Sequence, residues 1–511
     1  MSKRVIIESK GLSLDDFINV ARFGAKLELS ADCRAMVRVS RENLEKNMAG
    51  GKPIYGVNTG FGRFADTVIS ESEIATLQLN LIRADAVGVG APLPRDVVRG
   101  IMMLRVNSLS RGLSGVREIV IQTLMDMLNS GIHPVIPEKG SVGASGDLCP
   151  LSHMVLPMIG EGEAEYLGEI MNGDAAMEAA GIPTVTLAAK EGLALINGTQ
   201  AMTSVAALAL YDSLALLKAS DIIAALTMES LNGIIDAFDP RLHAARNHEG
   251  QIAAAANIRR LTEGSRLISR QGEQRVQDSY SLRCVPQIHG ASRLALGYVR
   301  SVIEAEINAV TDNPLVFEDM VISGGNFHGQ PVAIAADTLG IAAAELANIS
   351  ERRTAKLIDP ALNHGLPAFL VKNGGLNCGF MVPQYAAAAL VSENKILAHP
   401  ASVDSIPTSA GQEDHVSMGT IAARKAADIV RNATAVLGIE WLAAAQAVDL
   451  RTGENPVSLG KGSAAAYGLL REIIKPLEDD RAFYLEQKKA ADLIASGALV
   501  KAVEKETGPL A

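Results

Sequence analysis

The stretch "AMTSVAALALYDSLALLKASDIIAALTMESLNGII" occupies residues 201–235. Its apolar residues fall around most of a helical circumference, not on one stripe. A helix of that kind is buried among other helices, so the stretch predicts a mainly α fold with a core of long packed helices. "VAIAADTLGIAAAELANISERRTAKL" (332–357) and "HVSMGTIAARKAADIVRNATAVLGIEWLAAAQAVDL" (415–450) read the same way. Alanine at the seams of such long apolar faces also points to burial in an oligomer.

Composition agrees with a helical core. Hydrophobic residues make up 48% of the chain, aromatics only 4%, and Trp441 is the single tryptophan. Alanine and leucine, which are abundant here, are the strongest helix formers. A chain of 511 residues is long enough for more than one domain. Residues 1–200 read as a smaller, loop-rich N-terminal domain, and residues 201–511 as a central helical bundle with C-terminal helices.

Several function classes are disfavoured. The net charge is −10 and no long Lys/Arg block occurs, so nucleic acid is not an expected partner. Cys33, Cys149, Cys284 and Cys378 lack zinc spacing, and the nine histidines form no H-E-x-x-H, so no metal is expected. Unpaired cysteines suit a reducing compartment. The start, "MSKRVIIESKGLS", turns polar too early for a signal peptide. No uninterrupted apolar run reaches membrane-spanning length. The expectation is a cytoplasmic protein without a membrane partner.

Between the apolar stretches lie polar, glycine-rich breaks: "GKPIYGVNTGFGRF" (51–64), "GIHPVIPEKGSVGASGDLCP" (131–150), "INGTQ" (196–200), "QDSYSLRCVPQIHG" (277–290), "SGGNFHGQP" (323–331) and "IPTSAGQEDH" (406–415). Glycine and proline disfavour helix and strand interiors, so these are loops. Their reactive side chains suggest that loops carry the function on a helical scaffold.

Ala-Ser-Gly occurs twice, at 144–146 and 495–497. The later copy sits in "YLEQKKAADLIASGALVKAVEKE" (484–506), whose apolar residues recur at helical spacing. There the Gly497 amide would bond back toward Leu493. The earlier copy, in "GASGDL" (143–148), has glycines before and within it. A tight loop could press the Gly146 amide nitrogen against the Ala144 carbonyl carbon. Ring closure and loss of two waters, one carrying the Ser145 hydroxyl, would leave an electrophilic methylidene-imidazolone (MIO). A phosphate-binding loop is the rival reading, but neither Walker spacing nor G-x-G-x-x-G is present.

"GSVGASGDLCPLSHM" (140–154) resembles the prosthetic-group loop of the aromatic amino acid ammonia-lyases. "YGVNTGFG" (55–62), "INGTQ", "QDSYSLRCVPQIHG", "GGNFHG" and "TSAGQEDHVSMG" (408–419) resemble the family's other blocks, in order and over nearly the whole chain. The resemblance implies a fumarase/aspartase-like helical bundle, a cytoplasmic homotetramer and active sites built from several subunits. It implies an MIO group formed autocatalytically from Ala144, Ser145 and Gly146, with no metal or nucleotide.

The resemblance also implies roles for other residues. Tyr55 would be the base that removes the β-proton. A tyrosine is protonated at neutral pH, so it needs an environment that lowers its pKa or a partner that takes its proton. Arg283 would clamp the substrate carboxylate, with a structural salt bridge as the other reading. Asn197 and Gln277 match amides that hold the prosthetic ring or the substrate. Tyr280 and Phe327 match pocket aromatics, with Asn326 beside them. Glu413 and Met381 match the histidine enzymes, which favours L-histidine converted to urocanate and ammonia.

One position departs from the family pattern. In "LQLNLIRADAVGVGAPL" (77–93), Ala84-Asp85 stands where histidine enzymes usually have Ser-His. Asp85 either accepts a hydrogen bond from the substrate side chain, making with Glu413 a pair that favours a cation, or pairs with Arg83 and faces away. The departure leaves room for another aromatic or cationic amino acid, or for an aminomutase built on the same electrophile. Two remoter readings are a fumarase-like lyase without the prosthetic group and an inactive scaffold protein.

Overall fold

The computed structural model describes residues 4–453 and 458–511. The first three residues of the N-terminal stretch read above lie outside them. From Arg4 the chain forms a short strand, Arg4–Ile7, paired in parallel with Lys26–Leu29. Helices dominate the rest, with β-structure limited to two- and three-stranded patches. Six helices matter below: α1 (Leu148–Val155), α2 (Glu191–Ile196), α3 (Gln200–Ser230), α4 (Val285–Ile307), α5 (Gln330–Ile358) and α6 (Gly419–Thr452).

The chain divides into two compact units, and not simply at residue 200. One comprises Met1–Leu208, Arg300–Asp337 and Pro400–Arg424; the other comprises Ala209–Val299, Thr338–His399 and Lys425–Ala511. The first unit therefore adds two later segments, which carry Asn326, Phe327 and Glu413, to the N-terminal loops.

In the first unit, the helix Arg95–Leu109 is buried along almost its whole length, including the charged Arg105. It packs against Leu14–Ala21 and Glu118–Ser130. The Leu14–Ala21 helix begins with a capping box: Ser13 accepts from the Asp16 N–H, and Asp16 accepts from the Ser13 N–H. The glycine-rich stretch 131–150 is not wholly loop. His133–Pro134 pairs with Glu165–Ala164, and Pro137–Lys139 pairs with Val89–Pro92.

The second unit holds the greater part of α3, the start of α4 and most of α5 and α6. Ala224, Ala225, Leu437, Trp441 and Ala444 are among its fully buried side chains. Small residues at such seams let helices approach closely while branched ones fill the gaps. The bundle also buries charge. Arg353 on α5 makes two bonds to Glu440 on α6, at 2.6 and 2.8 Å, and Thr227 on α3 donates to the same carboxylate at 2.7 Å. The Asp221 carboxylate on α3 lies 2.7 Å from His289 Nδ1 on α4 and accepts from Arg293 at 2.8 Å.

Two expectations need correction. The helices α3, α5 and α6 are long and apolar enough to cross a membrane by length and composition, although charges interrupt them, such as Glu351, Arg352 and Arg353 on α5. Their most apolar windows are 67–78% buried within the protein, which accounts for that apolarity without a bilayer. The second Ala-Ser-Gly is also not inside a continuous helix. Tyr484–Ala495 and Ala498–Thr507 meet there, and Gly497 turns the chain at a φ of +73°. Its N–H bonds to Ile494 O at 3.0 Å, not to Leu493, so the amide is still engaged.

Candidate active site

The loop before α1 is tied down by Asp147. This side chain is fully buried and accepts from Met202 N at 2.8 Å, from Ser141 Oγ at 3.2 Å and from Thr420 Oγ1. Burial outweighs those donors and lifts its carboxyl to about 6. Its own N–H donates to Gly198 O at 2.7 Å. Upstream, Met418 N donates to Val142 O at 2.9 Å, and Ser141 Oγ accepts from Gly143 N at 3.1 Å. Both ends of the tripeptide Ala144–Gly146 are thus anchored.

Within the tripeptide, Ala144 and Gly146 are bridged to each other, and Gly146 is bridged to Gly198. Gly146 has a φ of +68°. A Cβ there would lie 2.2 Å from Gly198 O, so no other residue fits. Ser145 Oγ donates to Asn197 Oδ1 at 2.9 Å. Asn197 caps the end of α2, and its Nδ2 donates to Asn313 O at 2.9 Å, which turns Oδ1 toward Ser145. A compact loop, a glycine pressed on backbone and a serine hydroxyl held by an acceptor are the features that ring closure needs. The residues present therefore fit the MIO group.

Tyr55 lies in the same unit. Its hydroxyl accepts from Gly62 N at 3.2 Å, and its ring meets Phe61 edge-on with centroids 6.4 Å apart. The turns Gly62–Phe64 and Ser409–Gly411 pack together, bringing the tyrosine loop to the segment that bears Glu413. The phenol does not have the lowered pKa expected of a ready base. Burial raises it, the Gly62 N–H partly opposes that, and the Glu413 and Asp85 carboxylates raise it further.

Asp85 ends the helix Ile74–Asp85 and is half-buried. Burial, then the nearby Glu413, push its carboxyl up to about 6. It does not pair with Arg83, which instead grips Glu161 at 2.5 Å. Among the described residues its carboxylate meets no cation. Glu413 accepts from Thr408 Oγ1 at 2.6 Å. Tyr55, Asp85 and Glu413 thus form one electrostatic cluster. Asn326 donates to Val310 O at 3.2 Å, and Phe327, next to it, is half-buried.

The remaining candidates belong to the second unit. Arg283 Nε donates to the Asp278 carbonyl at 2.9 Å, and its guanidinium lies 4.6 Å from the centroid of the Tyr280 ring. Tyr280 is 70% exposed and Gln277 is exposed. Among the described residues no carboxylate pairs with Arg283. Met381 begins the helix Met381–Leu397 and is half-buried.

Several residues that shape this site carry no motif. Thr420 holds the loop, and Lys190 is buried against Asp312 at 2.6 Å. Arg105 donates to the Asn197 carbonyl at 2.8 Å. A charge inside the apolar run "GIMMLRVNSL" (100–109) was the one available signal for it.

The family model described as aromatic amino acid lyase matches residues 12–472. The chain belongs to that family. It is 58% identical over the full length of both chains to a protein named histidine ammonia-lyase 2 from Fusobacterium nucleatum. Among solved structures, it is similar to a histidine ammonia-lyase from Trypanosoma cruzi, at 41% identity and a TM-score of 0.91, covering 99% of this chain and 96% of that one. It is also similar to a tyrosine aminomutase from Streptomyces globisporus, at 36% identity and a TM-score of 0.95, covering 99% and 100%.

Proposed function

We propose that this protein is a histidine ammonia-lyase, which removes ammonia from L-histidine to give urocanate. The observation that carries the chemistry is the Ser145 hydroxyl 2.9 Å from Asn197 Oδ1, in a loop where Gly146 is pressed on Gly198. Full-length likeness to proteins named histidine ammonia-lyase supports the substrate.

The Gly146 nitrogen attacks the Ala144 carbonyl carbon and a C–N bond forms. One water leaves with that carbonyl oxygen. A second leaves with the Ser145 hydroxyl and its α-hydrogen. The MIO group held by Ala144, Ser145 and Gly146 would supply an electrophilic carbon that makes the substrate amine a leaving group. The family resemblance gives Arg283 a two-pronged grip on the substrate carboxylate, makes Gln277, Tyr280, Asn326, Phe327 and Met381 pocket residues, and gives Asn197 a place beside the prosthetic ring. Tyr55 takes the β-proton. Asp85 and Glu413 face the imidazole and accept its N–H groups. A cation between them offsets the two charges that keep Tyr55 protonated, so binding substrate favours the phenolate.

We also read the protein as a cytoplasmic homotetramer with active sites shared between subunits. Leu294, Ile341, Val382 and Tyr385, exposed on helices of the second unit, support association.

The deciding experiment offers the purified protein a panel of amino acids and follows absorbance of the unsaturated products. Histidine turnover to urocanate is expected. Turnover of another amino acid with none of histidine overturns the substrate; a β-amino acid product overturns the lyase outcome.

A further inference from the structure

We propose that Arg105 is a positioning residue for ring formation, acting through the Asn197–Gly198 peptide. This rests on the reading that Ala144, Ser145 and Gly146 cyclise.

Arg105 is fully buried, yet it has no ion-pair partner among the described residues. The acid whose charge acts on it, Asp312, is already bonded to Lys190 at 2.6 Å. One guanidinium nitrogen makes both of its hydrogen bonds, to Asn197 O at 2.8 Å and Gln200 Oε1 at 2.9 Å. Gln200 is fixed in turn by donating to Thr311 Oγ1 at 2.8 Å. Burying a cation this way is expensive, and a methionine or leucine would suit the surrounding apolar helix better. Stability therefore does not explain the choice of arginine.

The two acceptors explain it. They flank Gly198, whose carbonyl receives the Asp147 N–H at 2.7 Å and lies against Gly146. Asn197, whose carbonyl Arg105 grips, is also the residue whose Oδ1 receives the Ser145 hydroxyl. Arg105 thus fixes a shelf with two fittings: one stops Gly146 from backing away from Ala144, and one holds the hydroxyl that will leave. Ring closure is an intramolecular attack, and its rate depends steeply on holding the reacting atoms at near-attack distance. A loosened shelf lets the loop relax, and the tripeptide stays open.

The test is the intact mass of R105M and R105K, purified and followed over time beside the wild type and Q200L. The wild type is expected to be lighter than its translated chain by two waters. R105M should lose water at least about tenfold more slowly, the scale of one lost charge-assisted hydrogen bond. R105K keeps a charged donor and should recover part of that rate, and Q200L, which removes one of the two acceptors, should fall between wild type and R105M. Circular dichroism separates this from misfolding. Should R105M fail to fold, R105K decides, since its shorter reach still predicts slower water loss than wild type. Full dehydration at the wild-type rate in every Arg105 variant that folds overturns the proposal. A wild type of unreduced mass overturns the cyclisation reading instead.

Discussion

Ser145 Oγ and Asn197 Oδ1 lie 2.9 Å apart, although 52 residues separate them in the chain. On the proposed reading the serine hydroxyl is the group that ring formation expels, and the asparagine oxygen is the acceptor that orients it. S145A should keep the fold and keep its full translated mass. Its kcat should fall by roughly a thousandfold or more, since the reaction loses its electrophile. Mass spectrometry and a urocanate assay read both effects.

G146A should be more damaging than a methyl group suggests. The new Cβ meets Gly198 O at 2.2 Å and must adopt a φ of +68°. The left-handed conformation alone costs about 1–2 kcal/mol, and the clash pushes the two strands of the loop apart. A lowered Tm together with an uncyclised mass is the expected result.

The Asp85 carboxyl, which meets no cation among the described residues, is held at about 6, against 3.8 in an unstructured chain. The raised value means that ionisation is disfavoured in the folded protein. The destabilisation is absent below about 4, grows as pH rises through 4 to 6, and is complete above 6. D85N should therefore be more stable than wild type at pH 7.5, by up to about 3 kcal/mol, and indistinguishable at pH 4. Thermal melts at the two pH values check this. The same variant should raise KM for histidine, because one of two acceptors for the imidazole has lost its charge.

Tyr55 is kept protonated by burial and by the Glu413 and Asp85 carboxylates. E413Q removes one of those charges, so the phenol should ionise at lower pH. The rise of kcat with pH should move toward acid in E413Q, while Y55F loses about two to four orders of magnitude in kcat at every pH. A pH–rate profile of both variants is the measurement.

In the second unit, E440Q would leave Arg353 buried without a counter-charge, along with the Thr227 hydroxyl it now binds. Breaking a buried pair from one side costs about 3–5 kcal/mol. A large loss of Tm is expected, and E440Q/R353M should recover part of it.

The chain order of residues 201–235, 332–357 and 415–450 sufficed for the helical core, because an apolar surface on all sides of a helix has only one stable use in a packed protein. Residue type and local spacing singled out Ala144, Ser145 and Gly146, whereas Tyr55, Arg283 and Glu413 took their roles from the resemblance of their loop blocks to the family's. Relations that depend on distant segments were not legible. Nothing in the letters near Asp85 says that Arg83 turns to Glu161, leaving the carboxylate to Glu413 and Tyr55. The sequence of 484–506 reads as one helix because a glycine can sit in a helix interior or at a junction; only its φ of +73° shows that Gly497 breaks the helix. Sequence alone thus determined which groups this protein carries and the helical scaffold that bears them. Tertiary structure decided which of those groups meet, and so which charges are paired and which remain raised and ready, because burial and electrostatic coupling act through space and not along the chain.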